Sequence, residues 1–289
     1  MPSQFFDEKT AKRAKSFRFE FAKRPLAGCT VVVAGGAGGL GAATVALLAK
    51  EGARLIVGYR ANRARAEALR QAIEDRYAQK ITLVEGDIAK PEVRGAYLDA
   101  AANVSGRSKE GGVLHAAAIF PGDPARVSFE SLSRKAMESS LEANYLAPVL
   151  LAKDLGTAME SSAEDASSPL RAAGGGSIVL LATMQAVTAF PSSLNYAAPK
   201  AALVHAARIL AAQWKHVRVN VVAPGATLAG MAEASVSSGK YDSFVEKGAI
   251  PRFGRPEDIA RAVRFFLEPD GYATGQVLVV DGGLTLWRG

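Results

Sequence analysis

The chain has 289 residues, of which 49% are hydrophobic and 22% are charged, and its formal net charge is +7. This composition suits one globular α/β domain with a large core, and the lack of any apolar run of roughly 18 residues predicts no membrane span. The single cysteine, Cys29, cannot form an internal disulfide and is expected to be a small core residue in a reducing compartment. Because residues 1–21 lack an apolar signal core, we expect a cytoplasmic location.

Residues 1–26 are interpreted as a basic arm that precedes a domain of residues 27–289. The first 25 residues carry seven Lys and Arg against three Asp and Glu, or +4 of the total +7. Such an arm is able to contact nucleic acid or a membrane surface. The alternative is a solvated arm whose phenylalanines pack on the body or on a neighbouring subunit. We favour this alternative, because the remaining residues carry only +3, and we expect neither a nucleic-acid nor a membrane partner.

Apolar, β-branched runs alternate along the chain with longer stretches rich in alanine and leucine, which is typical of a parallel sheet wrapped by helices. Strands buried on both faces need continuous apolar runs. Seven such runs predict strands at 29–34, 54–59, 81–85, 112–116, 177–182, 218–222 and 276–280. Helices are predicted at 41–51, 63–77, 141–160 and 195–214. The polar, Gly-rich segment 160–176 predicts an exposed loop, and residues 225–248 predict a mobile lid over a site.

A strand, a Gly-rich turn and a helix follow one another in VVVAGGAGGLGAATVALLA, where Gly35, Gly39 and Gly41 have the spacing G-x-x-x-G-x-G. Glycine permits positive φ and a close approach of backbone N–H groups to a pyrophosphate. The N-terminus of the helix adds a favourable dipole for the phosphate charge. Glycines also mark plain turns, but their place between a strand and a helix favours dinucleotide binding.

The end of the second strand predicts which dinucleotide is bound, because an acidic residue there would bind the ribose 2′-hydroxyl of NAD. The sequence has Tyr59 and Arg60 instead, with Arg63 close behind. Arg60, helped by Arg63, suits the 2′-phosphate of NADP, so NADP(H) is expected in preference to NAD. A solvated arginine is the alternative for Arg60. Asp87, after the third strand, is placed either to accept a hydrogen bond from the adenine amino group or to cap a helix.

Tyr196 and Lys200 are four residues apart in a predicted helix, which places both on one face. A free tyrosine, with a pKa of about 10, is a poor acid or base at neutral pH, but a nearby ammonium lowers that pKa. The tyrosine can then donate a proton to a carbonyl as hydride arrives, or accept one in reverse. Tyr and Lys four residues apart also occur by chance in many helices. The pair indicates a catalytic site only because it follows the predicted strand that ends near Thr183. Pro199 predicts that the helix starts close to Asn195 or bends there.

In combination, these motifs resemble those of the short-chain dehydrogenase/reductase family over about residues 27–289. The resemblance rests on AGGAGGLG, GDI at 86–88, LHAAA at 114–118, Asn144, Thr183, Tyr196-x-x-x-Lys200, VNVVAPG at 219–225, RFGRPEDIA at 252–260 and TGQVLVVDGG at 274–283. It implies a single α/β domain of the Rossmann type, with a doubly wound, seven-stranded parallel sheet and helices on both faces. It also implies a nicotinamide cofactor and a homodimer or homotetramer, and no metal site.

The resemblance further implies roles for individual positions. Tyr196 would be the acid/base, Lys200 would lower its pKa and bind the nicotinamide ribose, and Asn144 would hold a water of the proton relay. Thr183 stands where the family usually has a serine that orients the substrate carbonyl, and it keeps the hydroxyl while stiffening χ1. The expected cofactor contacts are Gly35, Gly38, Gly39, Leu40, Gly41, Tyr59, Arg60, Asp87, Ile88, Ala116, Ala117, Lys200, Pro224, Gly225 and Thr227.

Two further segments depart from the family pattern. The usual Asn-Asn-Ala-Gly after the fourth strand is His-Ala-Ala-Ala at residues 115–118, so Ala116 lacks an amide that normally braces the sheet. His115 is predicted to be a hydrogen-bonded structural residue rather than a catalyst. Ala229 stands where a serine or threonine commonly contacts the nicotinamide, which leaves Thr227 to supply that contact.

The segments LHAAAIFP and PGATLAG resemble pteridine reductases more than 3-oxoacyl-carrier-protein reductases. In that subgroup an aromatic residue in the place of Phe120 stacks on a pterin, although the subgroup often has Asp in the place of Thr183. We predict substrate contacts at Phe120, Met184 and Phe190, with core packing as the alternative. The expected function is NADPH-dependent reduction of a carbonyl, or the reverse oxidation of an alcohol. The alternatives are a pteridine-type C=N reductase and a catalytically weak NADP-binding protein.

Overall fold

The computed structural model describes residues 12–13, 15–16, 23–104, 113–120, 122–191, 193–229, 239 and 241–286. Its strands are β1 (Thr30–Ala34), β2 (Arg54–Tyr59), β3 (Ile81–Glu85), β4 (Ala116–Ile119), β5 (Gly176–Leu181), β6 (Val217–Pro224) and β7 (Val277–Val280). All pair in parallel in the order β3-β2-β1-β4-β5-β6-β7. The predicted seven-stranded, doubly wound parallel sheet is therefore confirmed.

The described helices are α1 (Gly39–Lys50), α2 (Arg63–Tyr77), α3 (Pro91–Val104), α4 (Arg134–Leu141), α5 (Ala147–Glu164), α6 (Pro169–Ala172), α7 (Leu194–Gln213), α8 (Asp242–Glu246) and α9 (Pro256–Leu267). A π-helical turn, Glu142–Leu146, joins α4 to α5, and 3-10 turns lie at Met184–Ala186 and Leu284–Leu286. Helix α2 has its predicted bounds because Asn62 caps its start and Ala78 ends it in the left-handed region, at φ 54°.

The sheet is covered by apolar clusters on both faces. One cluster packs α3, α5 and α7 against the sheet, with Leu151 and Leu203 fully buried. The other packs α1, α2 and α9 against the opposite face, with Leu48 and Val263 fully buried. Cys29 lies in the second cluster and is 8% exposed, as expected for a small core residue.

The position of β4 corrects the prediction of a strand at 112–116. The observed strand, Ala116–Ile119, is almost fully buried and pairs with β1 on one side and β5 on the other. The strand consists of three alanines and Ile119, whose side chains are buried on both faces of the sheet. His115 precedes the strand, and its Nδ1 accepts a hydrogen bond from the Thr30 backbone N–H at 3.1 Å. Its predicted structural role is confirmed, and burial lowers its pKa, which favours the neutral ring.

The expected exposed loop at 160–176 is also corrected. Helix α5 continues to Glu164, α6 follows, and β5 starts at Gly176. The Ser168 hydroxyl caps α6 by accepting from the Leu170 N–H at 3.2 Å, and Leu170 is fully buried. The segment therefore folds as a short capped helix whose Leu170 side chain packs in the core.

Two further expectations fall partly outside the described residues. Most of the basic arm at 1–26 is not among them, although Leu26 is 1% exposed and packs in the core. Of the expected lid at 225–248, residues 230–238 and 240 lie outside the described ranges. Within those ranges, no helix has the length and hydropathy that a membrane crossing requires.

Candidate cofactor and active site

A cavity of about 1310 Å³ lies at the carboxyl edge of the sheet. Strands β1 and β4 are neighbours here, and the chain leaves β1 toward one face and β4 toward the other. A crevice outside the strand ends at such a switch point is where open α/β sheets bind their ligands. The cavity is therefore the first candidate for the functional site.

The turn between β1 and α1 forms one wall of the cavity. Gly35 has φ +76°, and its carbonyl accepts the Gly38 N–H at 3.1 Å, so the turn is tight. A Cβ at Gly41 would overlap the Gly35 carbonyl and the Gly36 Cα. Glycine at these positions therefore brings the turn and the N-terminus of α1 close together at the cavity wall, where a helix N-terminus suits an anionic group.

Thirteen of the expected cofactor contacts lie on the cavity wall, namely Gly35, Gly38, Gly39, Leu40, Gly41, Tyr59, Arg60, Asp87, Ile88, Lys200, Pro224, Gly225 and Thr227. Ala116 and Ala117 are instead enclosed within β4, because that strand extends further along the chain than expected. The cavity is also lined by residues that the sequence reasoning missed, of which Arg65, Tyr97 and Arg126 carry polar groups.

Two arginines stand at the end of the cavity next to β2. Arg60 and Arg65 both line it. Arg63, expected to assist Arg60, lies elsewhere and faces Glu67 at 3.9 Å and Glu85 at 4.0 Å. The Asn62 carboxamide accepts the Arg65 N–H at 3.0 Å and so places Arg65 in the first turn of α2. This capping position was the signal that could have identified Arg65 from the sequence.

Tyr97 approaches the same end of the cavity from α3. It is 1% exposed, and its hydroxyl lies against Gly58, where a Cβ would collide with it. Burial raises the pKa of the Tyr97 phenol, so the group stays protonated. No local pattern predicts this contact, since Gly58 and Tyr97 lie far apart along the chain.

Asp87 lies in the turn before α3 and does not cap that helix, which begins at Pro91, so its alternative role as a helix cap is wrong. Its carboxylate accepts the Ala89 N–H at 3.0 Å, while the residue also lines the cavity. Arg94 stabilises the turn after β3. Its guanidinium donates to the carbonyls of Ile88 and Ala89 and pairs with Asp154 at 2.7 Å. The adenine contact of Asp87 stays a prediction.

Tyr196 and Thr183 face each other at the other end of the cavity. Both line it, with 5% and 7% exposure. Burial raises the pKa of the Tyr196 phenol above 10.0, while the Arg126 guanidinium and the Thr183 hydroxyl act in the opposite direction. The phenol is therefore protonated at neutral pH in this state.

Lys200 lies one helical turn beyond Tyr196, with its Nζ 5.9 Å from the centroid of the Tyr196 ring. The ammonium is 1% exposed and donates to the Leu181 carbonyl at 3.0 Å. Burial lowers its pKa from 10.5 to about 7. The Arg126 guanidinium is the cation that lowers the Tyr196 pKa here, and the expected lowering by Lys200 stays a prediction.

Asn144 occupies the π-helical turn and is fully buried behind the cavity wall. Its Nδ2 donates to the Asp123 carbonyl at 2.9 Å and to the Ser140 hydroxyl at 3.0 Å. Its Oδ1 is buried and accepts no hydrogen bond from the part of the chain that the structure describes. Such an orphaned acceptor fits the predicted role of holding a relay water, and π-turns are frequent at functional sites.

The start of α7 and the loop after β6 form the remaining parts of the site. Helix α7 begins at Leu194, close to the predicted start, so Pro199 falls in its second turn. After β6, the Thr227 hydroxyl donates to the Gly225 carbonyl at 3.2 Å, and Ala229 also lines the cavity.

The three expected substrate contacts separate into two groups. Phe120 lines the cavity. Met184 and Phe190 instead pack in an apolar cluster with Ile250 and Leu284. Their contact with a substrate stays a prediction.

Comparisons with known proteins agree with this geometry. A family model described as enoyl-(acyl carrier protein) reductase matches residues 35–285. D-Threitol dehydrogenase of Mycolicibacterium smegmatis is 31% identical, over 90% of this chain and 94% of that protein. The chloroplastic NADPH-dependent aldehyde reductase 2 of Arabidopsis thaliana is 28% identical, over 90% and 95%. A short-chain type dehydrogenase/reductase from Mycobacterium ulcerans superposes with a TM-score of 0.79 and 25% identity, over 91% and 92%.

Proposed function

We propose that this chain, which belongs to the short-chain dehydrogenase/reductase family, is an NADP(H)-dependent oxidoreductase that interconverts a carbonyl compound and an alcohol. The observation that carries the proposal is one cavity that joins two features. At one end lies a glycine turn with two arginines, and at the other lies a buried tyrosine beside a hydroxyl and a lysine. The first suits a phosphorylated dinucleotide and the second suits proton transfer to a carbonyl.

The residues present fit a dinucleotide. Glycine at position 41 lets the N-terminus of α1 pack directly against the Gly35 turn, because a Cβ there would overlap the Gly35 carbonyl. This helix N-terminus lies at the cavity wall and suits a pyrophosphate. Arg60 and Arg65 supply the charge and the planar donors that suit a 2′-phosphate. Tyr59 donates to Glu85 at 2.9 Å, so this carboxylate is already hydrogen-bonded to the protein. These features favour NADP over NAD.

When bound, the nicotinamide supplies or accepts the hydride. Tyr196 then donates its phenolic proton to the carbonyl oxygen of the substrate, and the Thr183 hydroxyl donates a hydrogen bond to the same oxygen. Both donors are held in place by buried packing, so they need little reorganisation as negative charge develops on that oxygen. Lys200 would hold the ribose of the bound cofactor, and Asn144 would hold a water of the relay that returns a proton from solvent to Tyr196.

Mixing the purified protein with NADPH and a panel of ketones, aldehydes, acyl-thioesters and dihydropterins tests this function. We expect NADPH consumption with at least one ketone or aldehyde, and we expect Tyr196→Phe to abolish it. Consumption with dihydropterins alone would support the C=N reductase. Tight binding of NADPH without turnover on any class would support a binding protein and contradict our proposal.

Cofactor preference has a separate test. Arg60→Ala should weaken NADPH binding by about 1.5–3 kcal/mol, the scale of a hydrogen bond to a charged group, and leave NADH binding nearly unchanged. Arg63→Ala is the matched control, because this side chain faces Glu67 and Glu85 instead of the cavity. Equal losses for the two cofactors in Arg60→Ala would refute the assignment. A homodimer or homotetramer in the cytoplasm completes the proposal.

A further inference from the structure

The loop of residues 122–127 carries a cation that no part of the proposed function uses. We name this segment the Arg126 loop. It follows β4, and its Arg126 guanidinium lies over the ring of Tyr196, with the central carbon 4.5 Å from the ring centroid. Arg126 also lines the cavity next to the proposed acid.

Two buried amides fix the loop in this position. Asn195 donates from its Nδ2 to the Ala125 carbonyl at 2.8 Å and accepts the Val127 N–H at 3.3 Å, so it grips the backbone on both sides of Arg126. Asn144 donates to the Asp123 carbonyl at 2.9 Å. The two asparagines are 3% and 0% exposed. Because Asn195 directly precedes Tyr196, the same turn of α7 positions both the phenol and the cation above it.

The guanidinium has no acidic partner in the part of the chain that the structure describes. None of the ion pairs found there includes Arg126. Three carboxylates line the same cavity, Asp87, Asp123 and Glu142. Asp123 accepts the Ala125 N–H at 2.9 Å, which turns it toward its own loop. Arg126 is exposed, so its donors are open to solvent and accessible to a group that enters the cavity.

We propose that Arg126 binds a carboxylate of the substrate, so that the enzyme acts on oxo acids and the corresponding hydroxy acids. This inference rests on the proposed function, because it places the reacting carbonyl at Tyr196 and Thr183. A guanidinium pairs with a carboxylate through two parallel hydrogen bonds. Its place above the Tyr196 ring limits the distance between that carboxylate and the carbonyl to a few bonds. Arg126 takes no part in bond making and orients the substrate.

Matched pairs of acid and methyl ester test this inference, with 2-oxobutanoate, acetoacetate and 4-oxopentanoate as the acids. The readout is the acid-to-ester ratio of kcat/KM, in which any effect of Arg126 on the Tyr196 pKa cancels. We expect Arg126→Gln to lower this ratio about 10- to 100-fold, the scale of a lost hydrogen bond to a charged group, chiefly through KM. Arg126→Lys should restore part of the loss. Arg134→Gln should leave the ratio unchanged, since Arg134 is 89% exposed and pairs with Glu138.

The outcomes separate this inference from the proposed function. If esters and acids are reduced and Arg126→Gln leaves their ratio unchanged, the carboxylate contact is wrong and the carbonyl reductase stands. If Arg126→Gln weakens NADPH binding as much as it lowers the ratio, Arg126 serves the cofactor and the inference is overturned. If the wild-type enzyme reduces only neutral carbonyls, the inference is wrong. If it reduces no member of either series while binding NADPH, the carbonyl reductase and the inference fall together.

Discussion

Replacing Lys200 by methionine should make the protein more stable at low pH and remove a pH dependence of its stability. Burial lowers the pKa of the Lys200 ammonium from 10.5 to about 7, a difference that corresponds to about 5 kcal/mol. Between these two values the unfolded chain binds the proton more tightly, so the free energy of unfolding rises with pH. Below about pH 7 the folded protein bears the full cost of a buried charge, and above about pH 10.5 that cost is absent.

Methionine removes the charge but also removes the hydrogen bond to the Leu181 carbonyl, worth about 1.5–3 kcal/mol. We therefore expect Lys200→Met to gain roughly 2 kcal/mol at about pH 6 and to lose roughly 1–2 kcal/mol at about pH 10, where little of the cost of the buried charge remains. Urea unfolding across this range, without cofactor, measures the difference. Lys50→Met is the matched control, since Lys50 is exposed at the end of α1. A difference between Lys200→Met and wild type that stays constant from about pH 6 to pH 10 would refute the reasoning.

Two further predictions concern the turn after β1 and the start of α9. Gly41→Ala should lower NADPH affinity at least about tenfold in a fluorescence titration, because the new Cβ meets the Gly35 carbonyl. Gly95→Ala, in open space on α3, should leave it unchanged, and equal affinities would contradict the role of the turn. Arg252 holds the pKa of Asp258 down from 3.8 to about 2, so this carboxylate stabilises the fold above about pH 4 and less so as the pH falls toward 2. Asp258→Asn should therefore cost about 1–2 kcal/mol at pH 7 in urea unfolding, and a cost that did not shrink near pH 3 would contradict this.

The sequence predicted the parts of the fold that local patterns specify. Strand β2 and helix α2 have their predicted bounds because one is a continuous apolar run and the other carries its own cap at Asn62. Strand β4 was misplaced because its composition is mostly alanine, which favours a strand only when neighbouring strands bury it. Pairing with β1 and β5 decides its position, and no local signal encodes that pairing.

In the candidate site, too, short sequence patterns predicted some residues, and tertiary packing determines the others. The glycine turn and the pair of Tyr196 and Lys200 follow from short spacings within one or two elements. Tyr97 and Arg126 reach the cavity through tertiary packing, from α3 and from a loop gripped by Asn195, so spacing alone could not identify them. The electrostatics also depends on tertiary packing, because burial raises the Tyr196 pKa and lowers the Lys200 pKa, while the Arg126 guanidinium lowers the Tyr196 pKa.

The role of Tyr196 as proton donor in a reaction with hydride transfer is tested most directly by a single turnover. The cofactor is NADPH with both C4 hydrogens replaced by deuterium. Enzyme in excess would be mixed with this cofactor and with a carbonyl compound that the wild type reduces, and the product would be analysed by mass. We predict an alcohol that contains one deuterium. We also predict that Tyr196→Phe slows the step by about 10²–10⁴-fold while NADPH affinity stays within about twofold of wild type. An alcohol without deuterium, or a Tyr196→Phe rate close to that of the wild type, would contradict the account.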